Sequence, residues 1–123
     1  MKEKLIFIYN ADSGLRNMII DGAHKIFSPS TYACNLCDIT YGSFMENSIW
    51  RKFRESTSLK MEFLHKDEFK NRYASKFCYK FDYPIVLITA QGNLDVLINR
   101  EELNQLVNAE DLIAMIQKRI SID

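Results

Sequence analysis

The chain reads as an α/β protein, a central mixed sheet of about four strands flanked by helices, built as one domain over residues 1–123. Three observations lead there. Two short, largely apolar runs, Leu5-Ile6-Phe7-Ile8-Tyr9 and Pro84-Ile85-Val86-Leu87-Ile88-Thr89, have the length and β-branched character of strands buried on both faces. Segments with apolar residues every three to four positions lie between and after them, the spacing of amphipathic helices. The length of 123 residues, 47% apolar and 26% charged, suits one domain with one continuous core.

The elements follow in order. After the run 5–9, Asn10-Ala11-Asp12-Ser13-Gly14 makes a tight strand-to-helix turn, with Asp12 or Ser13 as N-cap. Leu15, Met18, Ile19, Ala23, Ile26 and Phe27 then predict a first helix ending before Pro29. Residues 28–42 have no sustained period and are expected to form an ordered, inserted loop carrying Cys34 and Cys37. Met45, Ile49, Trp50 and Phe53 predict a helix over 43–56, and Lys60–His65 a second strand. Phe69, Tyr73 and Phe77 stand at i, i+4, i+8 on a further helix. The strand 84–89 turns through Gln91-Gly92-Asn93 into a hairpin partner, Leu94–Ile98. Asn99 with Glu102, and Asn108 with Asp111, mark two helix starts. Leu112, Ile113, Ile116 and Ile120 supply the packing face of the last helix.

Composition excludes several classes. No apolar run reaches the ~18–20 residues of a membrane span, and Met1-Lys2-Glu3-Lys4 leads into a strand rather than a secretory leader. A reducing cytoplasm is therefore the expected location, and a membrane partner is not expected. An odd number of cysteines, three, speaks against a disulfide-stapled secreted scaffold. The net charge is zero, but residues 51–80 carry nine Lys/Arg against four acids, and residues 101–123 five acids against two bases. Solvated helix faces explain this dipole. The basic and aromatic mixture of 69–81 would also suit single-stranded nucleic acid, a lesser alternative, since the spacing of Phe69, Tyr73 and Phe77 already accounts for the aromatics as core.

The order β-α-loop-α-β-α-β-β-α resembles the thioredoxin and glutaredoxin fold. Tyr83-Pro84-Ile85-Val86-Leu87-Ile88 is similar to the strand that a cis-proline introduces there, with the hairpin and closing helix in the same order. The resemblance covers most of the chain as topology and about the last 40 residues as pattern. Thioredoxins carry their Cys-x-x-Cys at the helix after the first strand; here Ala11–Leu15 hold that place without a cysteine, so the pair is displaced. Tyr9–Gly14, the Cys34/Cys37 loop with Thr40-Tyr41-Gly42, and Phe63–Phe69 also resemble a family of small uncharacterised bacterial proteins, some labelled GTPases. No G-x-x-x-x-G-K-[ST] loop exists here to cradle phosphates.

Chemistry concentrates at Cys34-Asn35-Leu36-Cys37. Two thiols two residues apart can exchange a disulfide or hold a soft metal. If strand 60–65 lies parallel to strand 5–9, loop 28–42 has to climb back toward the carboxyl ends of the strands. That brings Cys34 and Cys37 toward Asp12, Ser13 and Pro84, where open α/β sheets place their sites. The expected function is thiol–disulfide exchange or redox sensing by Cys34 and Cys37, without cofactor and with a protein thiol or disulfide as partner. Asp12, Ser13, His24, Tyr41 and Pro84 are the candidate binding residues around them. The alternative is a non-catalytic zinc or adaptor domain, with ligands from Cys34, Cys37, His24 and His65. The plainer expectations are a His24 bonded to the loop backbone rather than a ligand, a His65 at the surface or as a cap partner, and a Cys78 packed as a buried thiol.

Overall fold

A computed structural model of the chain describes residues 4–10, 35–40, 46–74, 81–90 and 92–121. Its core is a four-stranded sheet in the order β2-β1-β3-β4, built from β1 (Lys4–Tyr9), β2 (Lys60–His65), β3 (Ile85–Ala90) and β4 (Asn93–Ile98). β1 and β2 are parallel, from Lys4 opposite Lys60 to Tyr9 opposite His65. β3 runs antiparallel to both β1 and β4, with Ile8 opposite Ile85. Ala90 pairs with Asn93, and Gly92, in the turn just before Asn93, has a φ of 84°. No Cβ would clash there; the left-handed backbone alone calls for glycine. The Tyr83–Pro84 peptide bond is cis.

β1 is central because Leu5 through Tyr9 are all buried, as the unbroken apolar run predicts. Alternation then sends its side chains to two faces. Leu5, Phe7 and Tyr9 join Val86 and Ile98 in one cluster, which takes Leu36, Ile39, Trp50, Leu103, Leu112 and Ile116 from helices. Ile6 and Ile8 join Leu64, Ile85, Leu87 and Leu94 on the other face, under Phe69.

Five helices are described: α1 (Asn35–Thr40), α2 (Ser48–Ser56), α3 (Lys66–Phe69), α4 (Arg100–Gln105) and α5 (Ala109–Ser121). Within the loop expected over 28–42, Asn35–Thr40 is helical, a correction for that stretch, and the other residues of the loop lie outside the described residues. Tertiary bonds from Asn35 to Leu103 O and Leu106 O, and from Asn47 N to Thr40 O, tie this helix to the rest of the fold. α2 begins at Ser48 rather than at 43, because Asn47 is its N-cap, with Oδ1 accepting from Ile49 N at 2.9 Å and Trp50 N at 3.0 Å. Over 66–74 the expected helix is α3 followed by a π turn, Lys70–Ala74, which still stacks Tyr73 on Phe69. Phe77, Cys78 and the first helix expected over 15–27 lie outside the described residues.

The two late helix starts are as read. Asn99 Oδ1 accepts from Glu102 N at 2.9 Å while Glu102 returns an acceptor to Asn99 N at 3.0 Å. Asn108 Oδ1 accepts from Asp111 N at 2.9 Å. Leu112 and Ile116 are buried and Ile113 and Ile120 pack beside them. No helix among the described residues is long and apolar enough to cross a membrane.

Candidate functional site at the carboxyl edge of the parallel strands

Strand register gathers one set of residues at a single edge of the sheet. Tyr9 and His65 are opposite each other at the ends of β1 and β2. Pro84, buried, stands one position beyond the Ile8–Ile85 pair, and β4 ends at this edge with Ile98 opposite Val86. This is the edge at which open α/β sheets place ligands. Of the sequence-derived candidates, it brings together His65 and Pro84; Asp12, Ser13, His24, Cys34 and Tyr41 lie outside the described residues.

Cys37 is the one described cysteine. It lies on α1, packs beside the cluster that contains Tyr9, and its sulfur is disulfide-bonded. The bonded partner lies outside the described residues. A disulfide sulfur is neither nucleophile nor metal ligand until reduction returns it to a thiolate.

α1, which carries this sulfur, is held at both ends. Asn35 Nδ2 donates to two carbonyl oxygens, Leu103 O at 2.7 Å and Leu106 O at 2.8 Å, at the C-terminal end of α4. Both hydrogens of one amide are thus spent on carbonyls at that helix end, where Leu103 O also accepts from Leu106 N at 3.2 Å. At the other end, Thr40 O accepts from Asn47 N at 2.6 Å, and Thr40 Oγ1 donates back to Leu36 O at 2.6 Å. Leu36 and Ile39 bury the underside of the helix.

His65 is buried at this edge beside Tyr9, its side chain 11% exposed. Glu68 Oε1 sits 2.9 Å from its Nδ1 and accepts from its backbone N–H at 2.7 Å. That backbone bond, aided by the ring, holds the Glu68 carboxyl below the usual carboxylate range. With Nδ1 engaged, Nε2 is the nitrogen left for other chemistry. The Tyr9 ring is tilted against the imidazole at 5.9 Å, and Lys66 Nζ donates to Asn10 Oδ1 at 3.3 Å. Beside Pro84, burial and the Asp82 carboxylate push the Tyr83 hydroxyl up.

Asn35 and Glu68 escaped the sequence reading. Glu68 had a signal, an acid three residues after a strand-ending His65. Asn35 had none, because its partners are backbone atoms about 70 positions away. Among the described residues no three His, Cys, Asp or Glu gather as a metal site. Of the alternative zinc ligands, Cys37 is oxidised, His65 is engaged through Nδ1, and Cys34 and His24 lie outside the described residues.

No family model, curated protein or solved structure matches the chain.

Proposed function

We propose that the chain is a thiol–disulfide exchange protein or redox sensor of thioredoxin-like architecture, with Cys34 and Cys37 as the exchanging pair. One observation carries the reading: the Cys37 sulfur is disulfide-bonded, on a helix described from Asn35, the residue next to Cys34. Residues three apart on a helix have Cα atoms about 5 Å from each other. A disulfide needs roughly 4.4–6.8 Å, so a pair at this spacing closes without moving the backbone. A parallel β1–β2 pair followed by an antiparallel hairpin and a closing helix supports the architectural half of the proposal.

In the reaction, the thiolate of one cysteine attacks a sulfur of a partner protein's disulfide and expels that partner's other sulfur as a thiolate. The second cysteine then attacks the mixed disulfide. The chain's two thiols become one disulfide, the partner's disulfide becomes two thiols, and two electrons and two protons pass to the partner. In a reducing cytoplasm such a bond is transient, which suits exchange or sensing rather than stapling.

The test is equilibration of the full chain in buffers of graded dithiol-to-disulfide ratio, quenched by alkylation, with zinc determined on protein purified without chelator. A reversible, metal-free transition that exchanges two electrons at Cys34 and Cys37 is the expected result. Stoichiometric zinc that shields Cys37 from alkylation would overturn it in favour of the metal-binding alternative.

A further inference from the structure

We infer that Asn35, the residue next to the first cysteine of the pair, is a positioning residue that sets the redox equilibrium of Cys34 and Cys37. The inference rests on the exchange reading above. Its basis is geometric: the only residues between the two cysteines are Asn35 and Leu36, and both are committed to the body of the protein. Leu36 is fully buried in the core cluster, and the Asn35 amide donates to Leu103 O and Leu106 O at 2.7 and 2.8 Å. Their common anchor is itself fixed. Leu103 is buried, and Glu102 on the same helix receives a two-pronged bond from Arg119 of α5, whose Nη1 also reaches Leu97 O at 2.6 Å. The start of α1 is therefore tied through α4 to α5 and to the end of β4.

The tie matters most when no disulfide orders the segment. In the oxidised protein the disulfide already fixes the separation of the two cysteines. In the dithiol form the Asn35 bonds and the Leu36 contact hold the segment that carries the pair against the body of the protein. Removing the Asn35 bonds lets the dithiol form spread over more conformations than the disulfide form can. The equilibrium then moves toward the dithiol, because closing the bond must first restore the lost order. Asn35 thus acts on the chemistry through the backbone, without touching sulfur.

The experiment is the equilibrium of full-length wild type, Asn35→Ala and Asn35→Ser with a dithiol/disulfide buffer, read by alkylation and mass spectrometry of the peptide holding residues 34 and 37. Two hydrogen bonds are lost in Asn35→Ala, and the equilibrium constant for disulfide formation should fall about tenfold, a shift of ~30 mV toward easier reduction. Asn35→Ser keeps one short donor, should fall between, and serves if Asn35→Ala fails to fold. Unfolding midpoints of both redox forms are measured alongside. A midpoint lowered equally in the two forms, with the exchange constant within about twofold of wild type, would make Asn35 a structural tie alone and overturn the inference. If instead wild type forms no Cys34–Cys37 disulfide at any buffer ratio, the exchange reading itself fails, a result separable from an unshifted Asn35→Ala.

Discussion

Replacing Glu102 by glutamine should cost about 1–2 kcal/mol of stability at neutral pH and almost nothing near pH 2. Arg119 Nη1 donates to its Oε1 at 2.8 Å, the Arg119 Nη2 partner bond completes a fork, and Asn99 N–H adds a third bond at 3.0 Å. The Arg119 bonds first, and the Asn99 bond second, lower the Glu102 carboxyl from 4.5 to about 2. At 1.36 kcal/mol per pH unit that difference corresponds to ~3.4 kcal/mol in the absence of screening. The two side chains are 33% and 32% exposed, so water and salt weaken the pair, and about half or less of that figure is expected. The carboxyl binds its proton less readily in the folded chain than in the unfolded one. The stabilisation is therefore complete above the unfolded value of 4.5 and is lost as pH falls through about 2. Urea unfolding of both proteins at pH 7, 5 and 3 reads the effect, as a midpoint displaced by about 0.5–1 M at pH 7 and converging as the pH drops. A displacement that stays the same at pH 3, or is absent at pH 7, would refute the ion pair as its source.

Three further outcomes follow from the same geometry. Tyr73→Phe removes a hydroxyl that donates to Glu62 Oε1 at 2.8 Å and accepts from Lys4 Nζ at 3.1 Å, and should cost about 1 kcal/mol in denaturant titration. Burial pushes the Glu62 carboxyl up, but bonds from Lys4, Tyr73 and Arg72 outweigh it and hold the group low. The loss in Tyr73→Phe should accordingly shrink below the ordinary carboxylate range, as Glu62 protonates in both proteins. Asn47→Ala strips two bonds from the start of α2 and should destabilise by about 0.5–2 kcal/mol, measured by thermal unfolding, whereas Asn47→Asp should hold near wild type. Trp50, fully buried and edge-on to Phe7 at 5.4 Å, leaves a cavity when cut to alanine; a loss of about 3–5 kcal/mol is expected. Trp50→Phe should cost clearly less, since Nε1 has no hydrogen-bond partner among the described residues to lose.

The sheet was legible because its signals are local. Five consecutive buried positions in β1 force an apolar run, and Asn99 with Glu102 marks the start of α4 within four residues of sequence. Helix α1 was not legible because what makes it a helix is tertiary: Asn35 on Leu103 and Leu106, and Thr40 under Asn47. The late start of α2 was missed for a related reason. Met45 and Ile49 look periodic in sequence, yet Asn47 ends the run from outside by capping. The candidate site divides the same way. Cys37 and His65 announce themselves by residue type, while the groups that hold them, Asn35 and Glu68, are ordinary polar residues that become meaningful only at 2.7–2.9 Å.

The cysteine pairing is the most direct measurement of the central claim, and the sequence makes it a clean one. Trypsin leaves residues 26–51 as one peptide containing both Cys34 and Cys37, and places Cys78 in the separate peptide 77–80. Protein fully reduced, then reoxidised by a small disulfide and digested without reductant, should yield peptide 26–51 alone and two hydrogens lighter, reverting to full mass with dithiol. A 26–51 peptide cross-linked to 77–80, with Cys34 left free, would contradict an exchanging Cys34–Cys37 pair.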